Sequence, residues 1–112
     1  MRNQLIEFKN YLISIKMRSQ NTVDSYMSDL ENYLYYLEEK EHVSSWSEVD
    51  TEMIKRYLAY LKKLGYTASS MSRELSAIKS FHKFLFMNKR TETNPANIIK
   101  TPKLDKTLPT VL

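Results

Sequence analysis

Ser69, Ser72, Arg73, Ser76, Lys79, Ser80 and Lys83 follow one another at spacings of one and three through a stretch that holds neither proline nor glycine. Wound into a helix at about 100° per residue, they share an arc of roughly 120° that no acidic residue enters. The strip is slim because serine is small, and positive because its only charges are Arg73, Lys79 and Lys83. Small hydroxyls let a helix backbone approach a phosphate or a base edge, while the longer cations neutralise phosphates to either side. A strip of this kind suits the major groove of DNA, whose width of about 12 Å admits a helix. The competing use of small residues is close packing of a second helix; the unbroken positive sign argues against it, since a covered face carries apolar area as well.

A second cluster, Lys16-Met17-Arg18-Ser19-Gln20-Asn21-Thr22, places two cations before a helix start and two side-chain amides within its first turn. Backbone N–H groups at such a start bind anions, and an amide side chain pairs with adenine or donates to phosphate. The same residues also read as an ordinary Ser19 cap with Gln20 and Asn21 solvated.

Other chemistries find no support. Cysteine is absent, and His42 with His82 alone make no zinc site, so neither a metal nor another cofactor is expected. No Gly-rich phosphate loop, nucleophile–base pair or paired carboxylates can be assembled. His82 falls among apolar residues and reads as a core histidine, and the tyrosines sit mostly at packing positions.

Four helical segments must position these groups. The first sets Leu5, Phe8, Leu12 and Ile15 along one face and ends near Met17. The second is capped by Ser19 and turns Val23, Tyr26, Leu30, Tyr33, Leu34 and Leu37 inward. A connector, residues 42–49, carries Trp46 as a lid over one end of the core. The third is capped by Asp50, buries Ile54, Tyr57, Leu58 and Leu61, and stops at Gly65, the single glycine. The fourth starts at Ser69 or Ser70 and runs to about Asn88, with Met71, Leu75, Ile78, His82 and Leu85 in an inward arc of about 80° and Phe81 on its shoulder. Asn94-Pro95-Ala96 starts at most one helical turn, and Pro102 and Pro109 impose extended backbone.

With 112 residues the chain suits a single core, and its three prolines all follow residue 94, so an all-α body is expected. Residues 1–61 carry 7 Lys/Arg against 10 Asp/Glu, whereas residues 62–112 carry 10 against 3, an asymmetry that suggests a polyanionic partner for one side. Without a membrane-length apolar run or a signal-like start, a cytoplasmic location is expected.

The stretch Ser19-Gln20-Asn21-Thr22 with Tyr26 and Asp29-Leu30, then Ser72 through Phe84, then Asn94-Pro95, and finally Pro102-Lys103 through Leu108-Pro109-Thr110-Val111-Leu112, resembles the N-terminal half of Xer-type tyrosine recombinases and related phage integrases. The resemblance spans nearly the whole chain in order. It implies an all-α, four-helix orthogonal bundle of the SAM-like core-binding type over residues 1–90, with 91–112 a short helical turn and an extended linker towards a catalytic domain. It further implies one jaw of a C-shaped clamp on double-stranded DNA, the second and fourth helices facing the major groove. The positions it carries over are Arg18, Gln20, Asn21, Thr22, Arg73, Ser76, Lys79 and Lys83, with Lys79 standing where the family commonly has arginine. The family's nucleophilic tyrosine, arginines, lysine and histidines belong to the C-terminal domain, so residues 1–112 are expected to bind DNA, as a monomer when isolated, without cleaving it. In the full protein the expected partners are further protomers in a synaptic tetramer, with no membrane partner. The other readings are a helical protein-interaction domain meeting an acidic partner and, with less support, a helix-turn-helix regulator.

Overall fold

In the computed structural model, residues 2–99 are described. Helix starts follow side-chain caps. Ser19, Asp50 and Thr67 hold extended backbone and accept the N–H three residues on, at 3.3, 2.9 and 3.1 Å. They open α2 (Gln20–Lys40), α3 (Thr51–Lys63) and α4 (Ala68–Met87), which follow α1 (Arg2–Ser14). The first two caps are those expected. The fourth helix begins a little before Ser69, because the Thr67 hydroxyl takes the Ser70 N–H.

Helix ends follow left-handed residues: Met17 (φ 52°), His42 (φ 55°), Gly65 (φ 95°) and Lys89 (φ 58°). After each, the next N–H reaches back to a carbonyl of the closing turn, from Arg18 to Leu12, Val43 to Leu37, Tyr66 to Leu61 and Arg90 to Leu85, at 2.8–3.1 Å. Gly65 alone announces this backbone in the sequence. Consequently α1 stops at Ser14 rather than near Met17. Ile15, expected on its inner face, still donates its N–H to the Tyr11 carbonyl at 2.9 Å but lies just past the last helical residue and is 67 % exposed.

α2 and α4 pack on each other, and α1 and α3 each pack on both without packing on one another. The fold is thus an all-α arrangement of four helices, with no strand among the described residues. Leu5, Phe8 and Leu12 meet Val23, Leu30, Tyr33, Leu34 and Leu37, then Ile54, Tyr57 and Leu61, around Leu75, Ile78, Phe81 and Leu85. Leu58 is only half-buried at the edge of this core. Trp46 closes one end, edge-on to Phe81 with ring centroids 4.7 Å apart, in a 3-10 turn (Trp46–Glu48).

Beyond α4 the chain makes two turns rather than a helical one, with Asn97 N–H on the Asn94 carbonyl at 3.1 Å and Ile99 N–H on the Ala96 carbonyl at 3.2 Å. Ala96 and Ile99 are buried, and the Thr51 hydroxyl donates to the Pro95 carbonyl at 2.7 Å. The extended backbone and linker expected around Pro102 and Leu108-Pro109 lie outside the described residues. Among the described residues, no helix is long and apolar enough to cross a membrane.

Candidate nucleic-acid interface

Contact with three neighbours buries α4 over far more than the arc expected, since Ser72, Glu74, Ala77 and Phe84 join Leu75, Ile78, Phe81, His82 and Leu85. What remains uncovered along its length is a narrow strip. Ser69, Arg73 and Lys83 are exposed there, and Ser76, Lys79 and Ser80 are half-buried; Ser72 alone of the expected residues is inside.

The cations on this strip are not equivalent. The Arg73 guanidinium donates from Nε and Nη2 to both carboxylate oxygens of Asp29 on α2, at 2.9 and 3.0 Å. Asp29 is buried while Arg73 stays half-exposed, so this ion pair ties the two central helices together. The Lys79 ammonium donates to the Ile99 carbonyl at 2.7 Å. Lys83 makes no ion pair with a described residue.

The tip of α2 adjoins the strip. One cleft of about 240 Å3 is floored by Phe8, Tyr11 and Phe84 and rimmed by Lys16, Arg18, Ser80 and Lys83, so the two clusters distant in sequence share a single concavity. Lys16 leans over the Tyr11 ring, 5.9 Å from its centroid. Ser80 and Lys83 also line a second hollow of about 160 Å3, completed by Lys79, Asn94, Ala96 and Asn97. No acidic side chain lines either hollow. Within the tip, Asn21 is exposed, Gln20 Nε2 donates to Asp24 at 2.7 Å, and Thr22 takes the Ser19 hydroxyl at 3.0 Å. Of the tip residues expected at the interface, only Arg18 is on the cleft wall; Gln20, Asn21 and Thr22 lie on the helical turn that follows it.

Two polar pairs lie beneath this surface. The Tyr57 hydroxyl donates to Glu74 Oε1 at 3.1 Å, and Glu74 is shut off from solvent. Burial and then the adjacent Asp29 carboxylate push the Glu74 carboxyl well above the ordinary carboxylate range. Its Oε2, without a partner as a carboxylate, can donate to Asp29 once protonated. Tyr33 and His82 meet at 2.9 Å between hydroxyl and Nε2, the pairing a tyrosine nucleophile would need. Both are sealed in the core, so no phosphodiester reaches them, and burial lowers the imidazole to about 4. Sequence reasoning placed His82 inside but passed over Asp29 and Glu74. The signal was present: Glu74 precedes Ile78 and Phe81 by four and seven residues, on their side of the helix.

The model of the family described as phage integrase, N-terminal SAM-like domain, matches residues 5–89. The chain belongs to that family. Among curated relatives of this integrase domain, tyrosine recombinase XerC of Natranaerobius thermophilus is 38% identical over 112 residues, covering 100% of this chain and 38% of that protein. Tyrosine recombinase XerD of Oceanobacillus iheyensis is 36% identical over 106 residues, 95% of this chain and 36% of its own. Tyrosine recombinase XerD of Chlorobaculum tepidum is 40% identical over 111 residues, 99% and 36% respectively. The resemblance to Xer-type recombinases seen in the sequence is therefore borne out, and the chain spans little more than a third of the length of these relatives. No solved structure matches it.

Proposed function

We propose that this chain grips duplex DNA as the N-terminal half of a tyrosine recombinase clamp. In this reading the strip of α4 enters the major groove and the hollows on its two flanks receive the sugar-phosphate backbones. The observation that carries it is the shared cleft: Lys16 and Arg18 before α2 and Ser80 and Lys83 on α4 rim one concavity that holds no acidic side chain. Cations on both walls neutralise a phosphate running between them. Ser76 leaves room for close approach of the α4 backbone, while Gln20, Asn21 and Thr22 in the first turn of α2 offer uncharged hydrogen-bonding groups to phosphates or base edges. Arg73 and Lys79 adjoin the duplex while bound to Asp29 and Ile99.

Strand cleavage, in the same proposal, belongs to residues outside this chain, and further protomers assemble with it on DNA. A fluorescence-anisotropy titration at several salt concentrations tests the reading, comparing wild type with Arg18→Ala and Lys83→Ala. Each substitution should flatten the dependence of log affinity on log salt by about 0.9 per phosphate contact removed. Slopes identical to wild type for both variants would take this face out of DNA binding.

A further inference from the structure

The second hollow has a wall that is not helical. Asn94–Ile99 is a short chain of turns, yet it is fastened at three kinds of point: Ala96 and Ile99 are buried, Thr51 holds the Pro95 carbonyl, and Lys79 holds the Ile99 carbonyl. Between these fastenings Asn97 is exposed and lines the hollow opposite Ser80 and Lys83. Resting on the DNA-binding reading above, we propose that this segment is a third component of the DNA face, with Asn97 donating its amide N–H to a phosphate and Lys79 acting as a positioning residue.

The chemistry separates the two roles. An ammonium that neutralises a phosphate releases counterions and so adds to the salt dependence of binding. One that is spent on a backbone carbonyl contributes through the geometry it maintains. A carboxamide is neutral, and its contact strengthens binding without changing the salt slope. Half-buried Lys79, with its ammonium 2.7 Å from the Ile99 oxygen, fits the positioning role; exposed Lys83 fits the phosphate role.

The experiment uses the full chain, a mixed-sequence DNA duplex, and the variants Lys79→Met, Lys79→Arg and Asn97→Ala, each checked for native helical circular dichroism. Lys79→Met keeps the aliphatic stem and loses the amine. It should weaken binding by about fivefold, the loss of one hydrogen bond's worth of ordering, with the salt slope of wild type. It should also accelerate amide hydrogen exchange at Asn97 and Ile99, whether or not DNA is present. Lys79→Arg should restore both. Asn97→Ala should weaken binding by a similar factor, again at unchanged slope. A slope flattened by about 0.9 in Lys79→Met would make Lys79 a direct phosphate contact and overturn the positioning role. Affinity unchanged in either Lys79→Met or Asn97→Ala would remove the segment from the DNA face. If wild type shows no salt-dependent binding to the duplex, the DNA reading itself fails, and unaltered exchange in Lys79→Met separately refutes the fastening.

Discussion

Glu74 and His82 lie about two helical turns apart on α4, both closed to solvent, and they titrate in opposite senses. For Glu74, whose folded carboxyl is raised, the stability is fully present below its ordinary value of 4.5 and is lost as pH climbs from there to about 8. For His82, whose folded imidazole is lowered, the stability is present above 6.5 and is lost as pH falls from there to about 4. Where those windows overlap, between 4.5 and 6.5, the two slopes oppose each other, so the urea midpoint should show a plateau there with an acid limb below and an alkaline limb above. Glu74→Gln, whose amide can still accept from Tyr57 and donate to Asp29, should remove the alkaline limb and gain at least about 1 kcal/mol near pH 8. Urea titrations of this variant across pH check it, and an alkaline limb that survives would assign the limb to another group. On the strip, Arg73→Ala should destabilise by about 2–4 kcal/mol because Asp29 is left buried and unpaired, somewhat less than for a fully enclosed pair since the guanidinium is half-exposed. Lys83→Ala should stay within about 0.5 kcal/mol of wild type. The same urea experiment distinguishes the two, and it shows why Lys83 rather than Arg73 is the residue to remove when DNA affinity is the readout.

At the scale of elements, all four helices are closed by a left-handed residue, and only α3 uses glycine for it. A Cβ on Gly65 would meet nothing within 4 Å, so the effect of Gly65→Ala is purely one of backbone, a loss of about 1 kcal/mol. Met17 presents the converse. Its side chain is 82 % exposed and packs on little, while its φ of 52° is strained for a side-chain-bearing residue. Met17→Gly should therefore raise stability by about 0.5 kcal/mol, strain relief outweighing the extra freedom of the unfolded chain. Thermal melts of the two variants should move in opposite directions. The Met17 turn matters beyond stability, because it sets Lys16 and Arg18 on the rim of the cleft at the start of α2.

For the whole molecule, the single tryptophan reports on the joint where the connector, α2 and α4 meet. Trp46 touches Tyr33, Phe81 and His82, so its burial depends on both central helices being in place. Its emission should shift to the red in the same urea transition that abolishes helical circular dichroism, as expected of one cooperative unit. An earlier fluorescence transition would mark the connector as a separate unit. Charge is also arranged at this scale. Glu38, Glu39 and Glu41 close the C-terminal end of α2, roughly 30 Å along the helix from Arg18 at its other end. That polarity favours approach of a polyanion by the tip of α2 and the strip of α4, a steering effect that weakens as salt rises.

The sequence by itself determined the helices, the N-terminal caps of α2 and α3 and most of the inward residues, because these depend on local hydrogen bonding and on a 3.6-residue period that is written directly in the chain. Ser19, Asp50, Gly65 and the apolar faces of α2 and α4 were legible for that reason, as was the positive strip from Ser69 to Lys83. The ends of α1, α2 and α4 were not, since Met17, His42 and Lys89 adopt a backbone that their side chains do not advertise. Only the tertiary structure decided that Arg73 belongs to Asp29, that Lys79 belongs to Ile99, and that Arg18 and Lys83 rim the same cleft. Those pairings join residues 44, 20 and 65 positions apart. No periodicity reaches that far: which charge meets which partner depends on how α2, α4 and the closing turns are packed, and packing is a property of the assembled core rather than of any one segment.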